Sequence, residues 1–211
     1  MKSTIEKTEL MRQIRDEILH LKKSPLYEYR TKNKYFPVIG EGDHDTDIVF
    51  IGEAPGLNEA KQGRPFCGAA GKVLDKLLAS ADIARSEVYI TNIVKDRPPE
   101  NRDPTPEEIA LYAPFLDRQL EIIKPKVIVT LGRFSMEYIM KKYGLDLEME
   151  PISKAHGKKF DAKAGEHTMQ IVPLYHPATA LYNGSFMKVL EEDFEILKQF
   201  HKKYDKKTDT V

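Results

Sequence analysis

Cysteine is almost missing from this sequence: Cys67 is the single one in 211 residues. One thiol excludes an intramolecular disulfide framework and any metal centre built on four cysteines. No apolar run approaches the roughly 18 residues that a membrane-spanning helix needs. The N-terminal stretch is charged and has no apolar core of the kind a secretory signal carries. Net charge is missing too, because 33 Lys and Arg balance 33 Asp and Glu. A nucleic-acid partner must then be held by a local patch rather than by a global field. No internal repeat, low-complexity linker or composition break divides the chain. One domain is therefore expected over residues 1–211, with enough chain for a sizeable core. A monomer in a soluble, reducing, cytoplasmic setting, without a membrane partner, is the default expectation.

What is present centres on residues 48–71. Ile48, Val49, Phe50 and Ile51 read as a buried strand. The chain then turns at Gly52 and again at Pro55-Gly56, and two carboxylates, Glu53 and Glu59, follow the strand's carboxyl end. In an open α/β sheet that end is where ligands bind. A Gly-rich loop leading into a helix at about 71–81 lets backbone approach a ligand closely. The loop alone fits a phosphate cradle almost as well. It lacks the Lys-Ser/Thr of a P-loop and the spacing of a dinucleotide fingerprint, so both are set aside.

Elsewhere, apolar residues at Leu10, Ile14, Ile18 and Leu21 predict an amphipathic helix over about 4–22, ended by Ser24-Pro25. Residues 30–46 read as a polar loop. Short strands are expected at 88–91 and 126–131, and a fourth core strand at 169–174. Thr105, Pro106 and Glu108 mark the start of a helix that runs to about 123. A further helix carries Phe134, Met136, Ile139 and Met140. Residues 151–170 read as a hairpin or irregular strands. The last helix is expected at about 186–201, before a polar tail at 202–211. Strands alternating with helices predict an α/β fold: a three-layer α/β/α sandwich around a central four-stranded, mainly parallel sheet. Parallel strands bring their carboxyl ends to one edge. Glu53, Asn92 and His176, far apart in sequence, are thus expected in one cleft.

These residues carry a resemblance to the uracil-DNA glycosylase superfamily, and in particular to its family-4 enzymes. Gly52-Glu53-Ala54-Pro55-Gly56 matches the first motif, and Gly63-Arg64-Pro65-Phe66 its continuation. Thr91-Asn92, Lys95-Asp96-Arg97-Pro98-Pro99 and Asn101 through Pro106 match the second region. His176-Pro177-Ala178, with Leu181, matches the last. The match runs in order from about residue 21 to 200.

The resemblance implies hydrolysis of the bond between uracil and deoxyribose in single- or double-stranded DNA, after the base is flipped out. The transition state is oxocarbenium-like, and the leaving group is a uracil anion. His176 is implied as the donor to uracil O2; a lone His-Pro is otherwise a packing histidine. Asn92 offers the complement of uracil N3–H and O4, a pattern that cytosine inverts; alone it reads as an Asx turn. Phe66 is implied to stack on the base, or else is plain core. Glu53 is assigned to the attacking water and Glu59 to exclusion of the thymine methyl. Both are also ordinary carboxylates for helix N-termini. In related families an Asp occupies the place held here by Ala54, within the uracil site. Ala180, Leu181 and Tyr182 resemble a wedge that fills the gap left by the flipped base. Arg97 and Arg102, with Lys95, are candidate phosphate contacts, against the alternative of a solvated surface.

One departure is large. Family-4 members usually hold an iron–sulfur cluster on four cysteines, and the matching positions here are Leu21, Ser24, Asp96 and Tyr112. No metal or other cofactor is therefore expected. An apolar, hydrogen-bonded plug is expected instead, with Asp96 paired to Arg97 or Lys22. No lysine in the matched motifs is placed to form a Schiff base, so a monofunctional glycosylase that initiates base-excision repair is the leading reading. A catalytically weak uracil-binding module is the main rival. A covalent uracil-DNA binder is disfavoured because residues 98–104 contain no histidine, and a phosphate-dependent nucleosidase because no phosphate signature is present.

Overall fold

Ile48–Gly52 is buried at every position. A run without polar alternation has no face to give to water, so it must be covered on both sides. The rest of the fold supplies that cover. The computed structural model describes residues 3–201, and the polar tail expected at 202–211 lies outside them.

The chain begins with helix α1 (Thr4–Leu19), started by a reciprocal capping box between Ser3 and Glu6. A short helix α2 (Tyr27–Lys32) and a two-residue strand β1 (Glu41–Gly42) follow. Strand β2 (Ile48–Gly52) continues through helices α3 (Leu57–Gln62) and α4 (Ala69–Ser80) into β3 (Tyr89–Asn92). Helix α5 (Pro106–Ile123) has its own capping box on Thr105 and Glu108, and leads to β4 (Val127–Leu131) and α6 (Arg133–Lys142). Helix α7 (Ile152–Ala155), strands β5 (Phe160–Ala164) and β6 (His167–Leu174), and helices α8 (Thr179–Tyr182) and α9 (Phe186–Phe194) complete the order.

The strands form one sheet in the order β1-β3-β2-β4-β6-β5. The four inner strands are parallel, as expected. The sheet is wider than the four strands expected, because β1 and β5 add antiparallel edges. Strand β1 is only Glu-Gly and carries no apolar signal, which is why residues 30–46 read as a loop. From β2 the chain moves outward to β3 through α4, then reverses across β2 to reach β4 through α5. Crossovers keep one hand, so this reversal puts α4 and α5 on opposite faces. Accordingly Ile48 and Phe50 pack with Leu74 and Leu77 of α4 and Phe194 of α9. Val49 and Ile51 pack with Ile14 and Ile18 of α1, Leu116 of α5 and Ile139 of α6. The three-layer sandwich follows directly. No helix among the described residues is long and apolar enough to cross a membrane.

Helix α1 stops at Leu19 rather than near 22, and its inward stripe is Met11, Ile14 and Ile18, with Leu10 only half-buried. Leu21 is buried beyond the helix end. It lies in the corner where the resemblance implies an iron–sulfur cluster. The four positions do converge there, but as a bonded plug. Ser24 Oγ and Tyr112 Oη are 2.7 Å apart, and Tyr112 Oη donates to Asp96 Oδ2 at 2.6 Å. Asp96 is paired with Arg30 of α2, at 3.3 Å, and not with Arg97 or Lys22. Arg30 also donates to the carbonyl oxygens of Ile18 and Leu19, so one guanidinium closes the end of α1 and neutralises the buried carboxylate. These side chains already satisfy one another and offer no thiolate, so a cluster does not fit this corner.

Burial of Leu21 is expected to hold this corner in the absence of any cross-link. Leu21→Ala should lower stability by roughly 2–5 kcal/mol, the cost of a core cavity, as read by urea unfolding. An unchanged midpoint would show that the corner is held by its polar bonds alone.

Candidate active site

At the carboxyl edge of the inner strands lies a cleft of about 490 Å³. Strand β3 ends in Asn92, paired with Gly52 at the end of β2. Glu53 follows β2, and His176 lies two residues past the end of β6. Glu53, Ala54, Glu59, Phe66, Asn92 and His176 all line the cleft. The convergence expected from parallel strands therefore holds.

Asn92 is only 2% exposed. Its side-chain amide nevertheless makes no hydrogen bond to the protein among the described residues. The amide instead lines the cleft, where a ligand can pair it. The space it occupies exists because residue 52 is glycine. A Cβ there would collide with Asn92 Oδ1 and stand 2.8 Å from Phe66 Cζ. Phe66 is buried and adopts a positive φ of 47°, a strained conformation for a bulky residue. Its ring lies 5.6 Å from that of His176, tilted by 32°. Asn92, Phe66 and His176 thus form a slot with one flat apolar wall and two polar groups.

His176 is oriented by its own turn. The Ala178 backbone N–H donates to Nδ1 at 3.2 Å. Nδ1 is therefore an acceptor, and the proton of the neutral ring sits on Nε2. Burial pushes the imidazole pKa down to about 4, against the pull of the Glu59 carboxylate. At neutral pH His176 is an uncharged donor. Gly132, at a φ of 95°, packs under it; a Cβ there would come within 3.3 Å of the His176 Cβ.

The two carboxylates differ sharply. Burial, and then the Asp103 charge, push Glu53 up to about 7, while Arg133 pulls it down. Its carboxyl has no hydrogen-bond partner among the described residues, which leaves it free to hold water. Glu59 is instead tied down. Its Oε1 accepts from the backbone N–H groups of Cys67 (3.0 Å) and Gly68 (2.8 Å), the turn that opens α4. The helix-terminus role considered for a carboxylate here is the one the geometry favours, although Glu59 also borders the cleft.

The basic residues diverge from expectation. Lys95 is fully buried and not a phosphate contact. Arg97 is 9% exposed, with Nε donating to Asn101 Oδ1 at 2.7 Å and Nη1 to the Tyr29 hydroxyl at 2.9 Å. The acceptors on the loop and on α2, with the Tyr35 ring 5.7 Å from its guanidinium, hold it inward. Arg102 is gripped by the buried Glu108 carboxylate at 2.6 and 2.9 Å while keeping an exposed edge. Leu181 and Tyr182 of α8, in contrast, are 50% and 89% exposed, as a wedge requires, and Ala180 packs beneath them on the core.

Sequence reasoning missed Asn101 and Asp103, which close one side of the cleft from the loop before α5. It also missed Arg133, whose charge opposes that of Asp103 at Glu53. The loop's Pro, Asp and Arg content marked it as irregular, but no periodicity shows which of its side chains fold back.

With this geometry in place, the comparisons are consistent with one another. Residues 39–198 match the family model described as the uracil DNA glycosylase superfamily. The chain is 46% identical over 190 residues to a type-4 uracil-DNA glycosylase of Sulfurisphaera tokodaii, covering 90% of this chain and 84% of that protein. It is 45% identical to the type-4 enzyme of Archaeoglobus fulgidus, covering 85% and 87%. It is 42% identical to that of Thermotoga maritima, covering 92% and 96%.

Proposed function

The chain belongs to the uracil DNA glycosylase superfamily, and from that premise we propose that it is a monofunctional glycosylase that hydrolyses the N-glycosidic bond of deoxyuridine in DNA. The observation that carries the proposal is the Asn92 amide, left unpaired by the described residues, lining the same cleft as His176, whose Nδ1 accepts and so leaves the ring proton on Nε2.

A uracil flipped from DNA enters the slot and stacks on Phe66, a contact of about 1–3 kcal/mol. Asn92 Oδ1 accepts from N3–H and Nδ2 donates to O4. Cytosine would present a lone pair and an amine to the same groups, so a bidentate match rejects it by about 1–3 kcal/mol. His176 Nε2–H donates to O2. As the C1′–N1 bond breaks, its electron pair moves onto the base, and donors to O2 and O4 stabilise the resulting anion. The Glu53 carboxylate orients water and offsets the positive charge growing on the sugar. Water adds to C1′ and gives up a proton, leaving an abasic sugar and free uracil. Ala54 borders the base at the place that an Asp occupies in related families. Glu59 acts by fixing the turn at Cys67-Gly68 around the slot.

Leu181 and Tyr182 enter the stack vacated by the base, and Arg102, between the cleft-lining Asn101 and Asp103, offers its exposed edge to phosphate. Arg97 contributes by holding Asn101 rather than by meeting phosphate. No lysine lines the cleft among the described residues, so release by hydrolysis rather than through a Schiff base is favoured. An abasic product makes this the first step of base-excision repair. A monomer acting in the cytoplasm, on single- or double-stranded DNA, completes the reading.

The direct test is a single-turnover assay on an oligonucleotide containing uracil, with abasic sites revealed by alkali. Asn92→Ala and His176→Ala should each slow excision at least tenfold, about 1.4 kcal/mol, while remaining folded. Abasic product absent even at stoichiometric wild-type enzyme would favour a uracil-binding module instead.

Glu53 sets the acid limb of the rate profile. Below about pH 7 it is protonated and cannot hold water as a base, whereas His176 is already neutral down to about 4. The rate should therefore climb as pH rises through about 7 and level off above it, and Glu53→Gln should flatten that climb and lower the plateau. A wild-type profile with no inflection near neutrality would remove Glu53 from this role.

A further inference from the structure

Lys95 is fully buried and lies outside the residues that line the cleft. Its Nζ is 2.7 Å from Thr91 Oγ1, 2.7 Å from the backbone oxygen of Asn92 and 2.6 Å from Gln119 Oε1. The Ile39 carbonyl is next, at 3.4 Å. Each close partner is bound to act as an acceptor. The Thr91 hydroxyl already donates its proton to Ile39 O at 2.7 Å. Gln119 turns Nε2 toward Ile39 O and the Tyr89 hydroxyl, both at 3.0 Å, which leaves Oε1 facing the lysine. The Asn92 partner is a carbonyl. Three acceptors call for three protons, and only the ammonium form carries three.

None of these partners is a carboxylate, so a positive charge is held in the interior by neutral oxygens. That arrangement is expensive compared with an apolar side chain of similar volume. Burial pulls the lysine's pKa well below its ordinary value; the three oxygens act in the opposite direction by solvating the charge. A cation maintained against this penalty, on the strand end that carries Asn92, calls for a use.

We propose that Lys95 is a positioning residue for the uracil-recognition amide and, through it, the source of a fixed positive potential that stabilises the departing base. This rests on the glycosidase reading above. The bond to the Asn92 carbonyl pins the last residue of β3, so the amide keeps its orientation although no protein group holds its side chain. The charge acts on the reaction itself. The ground-state base is neutral, and negative charge reaches O2 and O4 only as the C1′–N1 bond breaks. A fixed cation in a poorly solvated interior therefore favours the transition state over the bound substrate. His176 serves the O2 side, and Lys95 with Asn92 serves the O4 side.

Leaving-group dependence separates this role from simple scaffolding. Uracil and 5-fluorouracil are compared in the same oligonucleotide under single turnover, because fluorine already stabilises the anion. Lys95→Gln should lose about tenfold or more on uracil and clearly less on 5-fluorouracil. A displaced Asn92 with no electrostatic contribution would cost the same factor on both bases. Should Lys95→Gln fail to fold, Gln119→Glu takes its place: it sets a carboxylate against the ammonium and cancels its field while the lysine remains. The same unequal loss is expected. Equal losses on the two bases, or a wild-type rate on uracil, would overturn the role of Lys95 and leave the glycosidase reading standing. Failure of the wild-type protein to release either base would overturn both.

Discussion

The pairing of Gly52 with Asn92 is the constraint on which the site depends. Parallel registry puts these two residues side by side at the ends of β2 and β3. The missing side chain at 52 then leaves room for both the Asn92 amide and the edge of Phe66. Any Cβ there would drive the amide or the ring out of place. The slot is thus made by backbone register and one absent methyl group, both fixed by the core of the sheet. Strands buried on both faces hold that pairing, and the turns at Phe66 and His176 complete the slot.

Burial then tunes the chemistry. Desolvation acts on Glu53 and His176 in opposite numerical directions, raising one pKa and lowering the other, yet both shifts favour the neutral form. In the proposed reaction the neutral base would thus meet a neutral donor, an amide the protein leaves unpaired and a carboxyl poised near neutrality. On that proposal charge develops on the base only as the glycosidic bond breaks, and the groups that would meet it are already in place. Such preorganisation costs little at the moment of reaction. The ammonium of Lys95, held by Thr91, Asn92 and Gln119, extends the same logic to one residue behind the slot.

Much of this was legible in the sequence. Apolar runs at 48–51, 126–131 and 169–174 had to be inner strands, and parallel strands had to bring Glu53, Asn92 and His176 to one edge. The two edge strands were less visible, since Glu41–Gly42 has no pattern of its own and is recruited by pairing with Tyr89 and Ile90. Helix α3 is short and sits in a loop that Pro55-Gly56 and Gly63 mark at both ends. The partners of charged side chains were least legible. Sequence proximity favoured Arg97 or Lys22 for Asp96, but the backbone brought Arg30 there from 66 residues away. Lys95 and Arg97 looked like surface cations because charge usually is. Only the packed structure shows the carbonyl, hydroxyl and amide oxygens that receive them.

The central claim is that a neutral imidazole, protonated on Nε2, faces the slot. Nitrogen-15 NMR of His176 tests it most directly, with His176→Gln used to assign the resonance. The account predicts a neutral ring with its proton on Nε2 throughout the neutral range, titrating only near pH 4. An imidazolium at neutral pH, or a ring titrating near the ordinary histidine value of about 6.5, would contradict it.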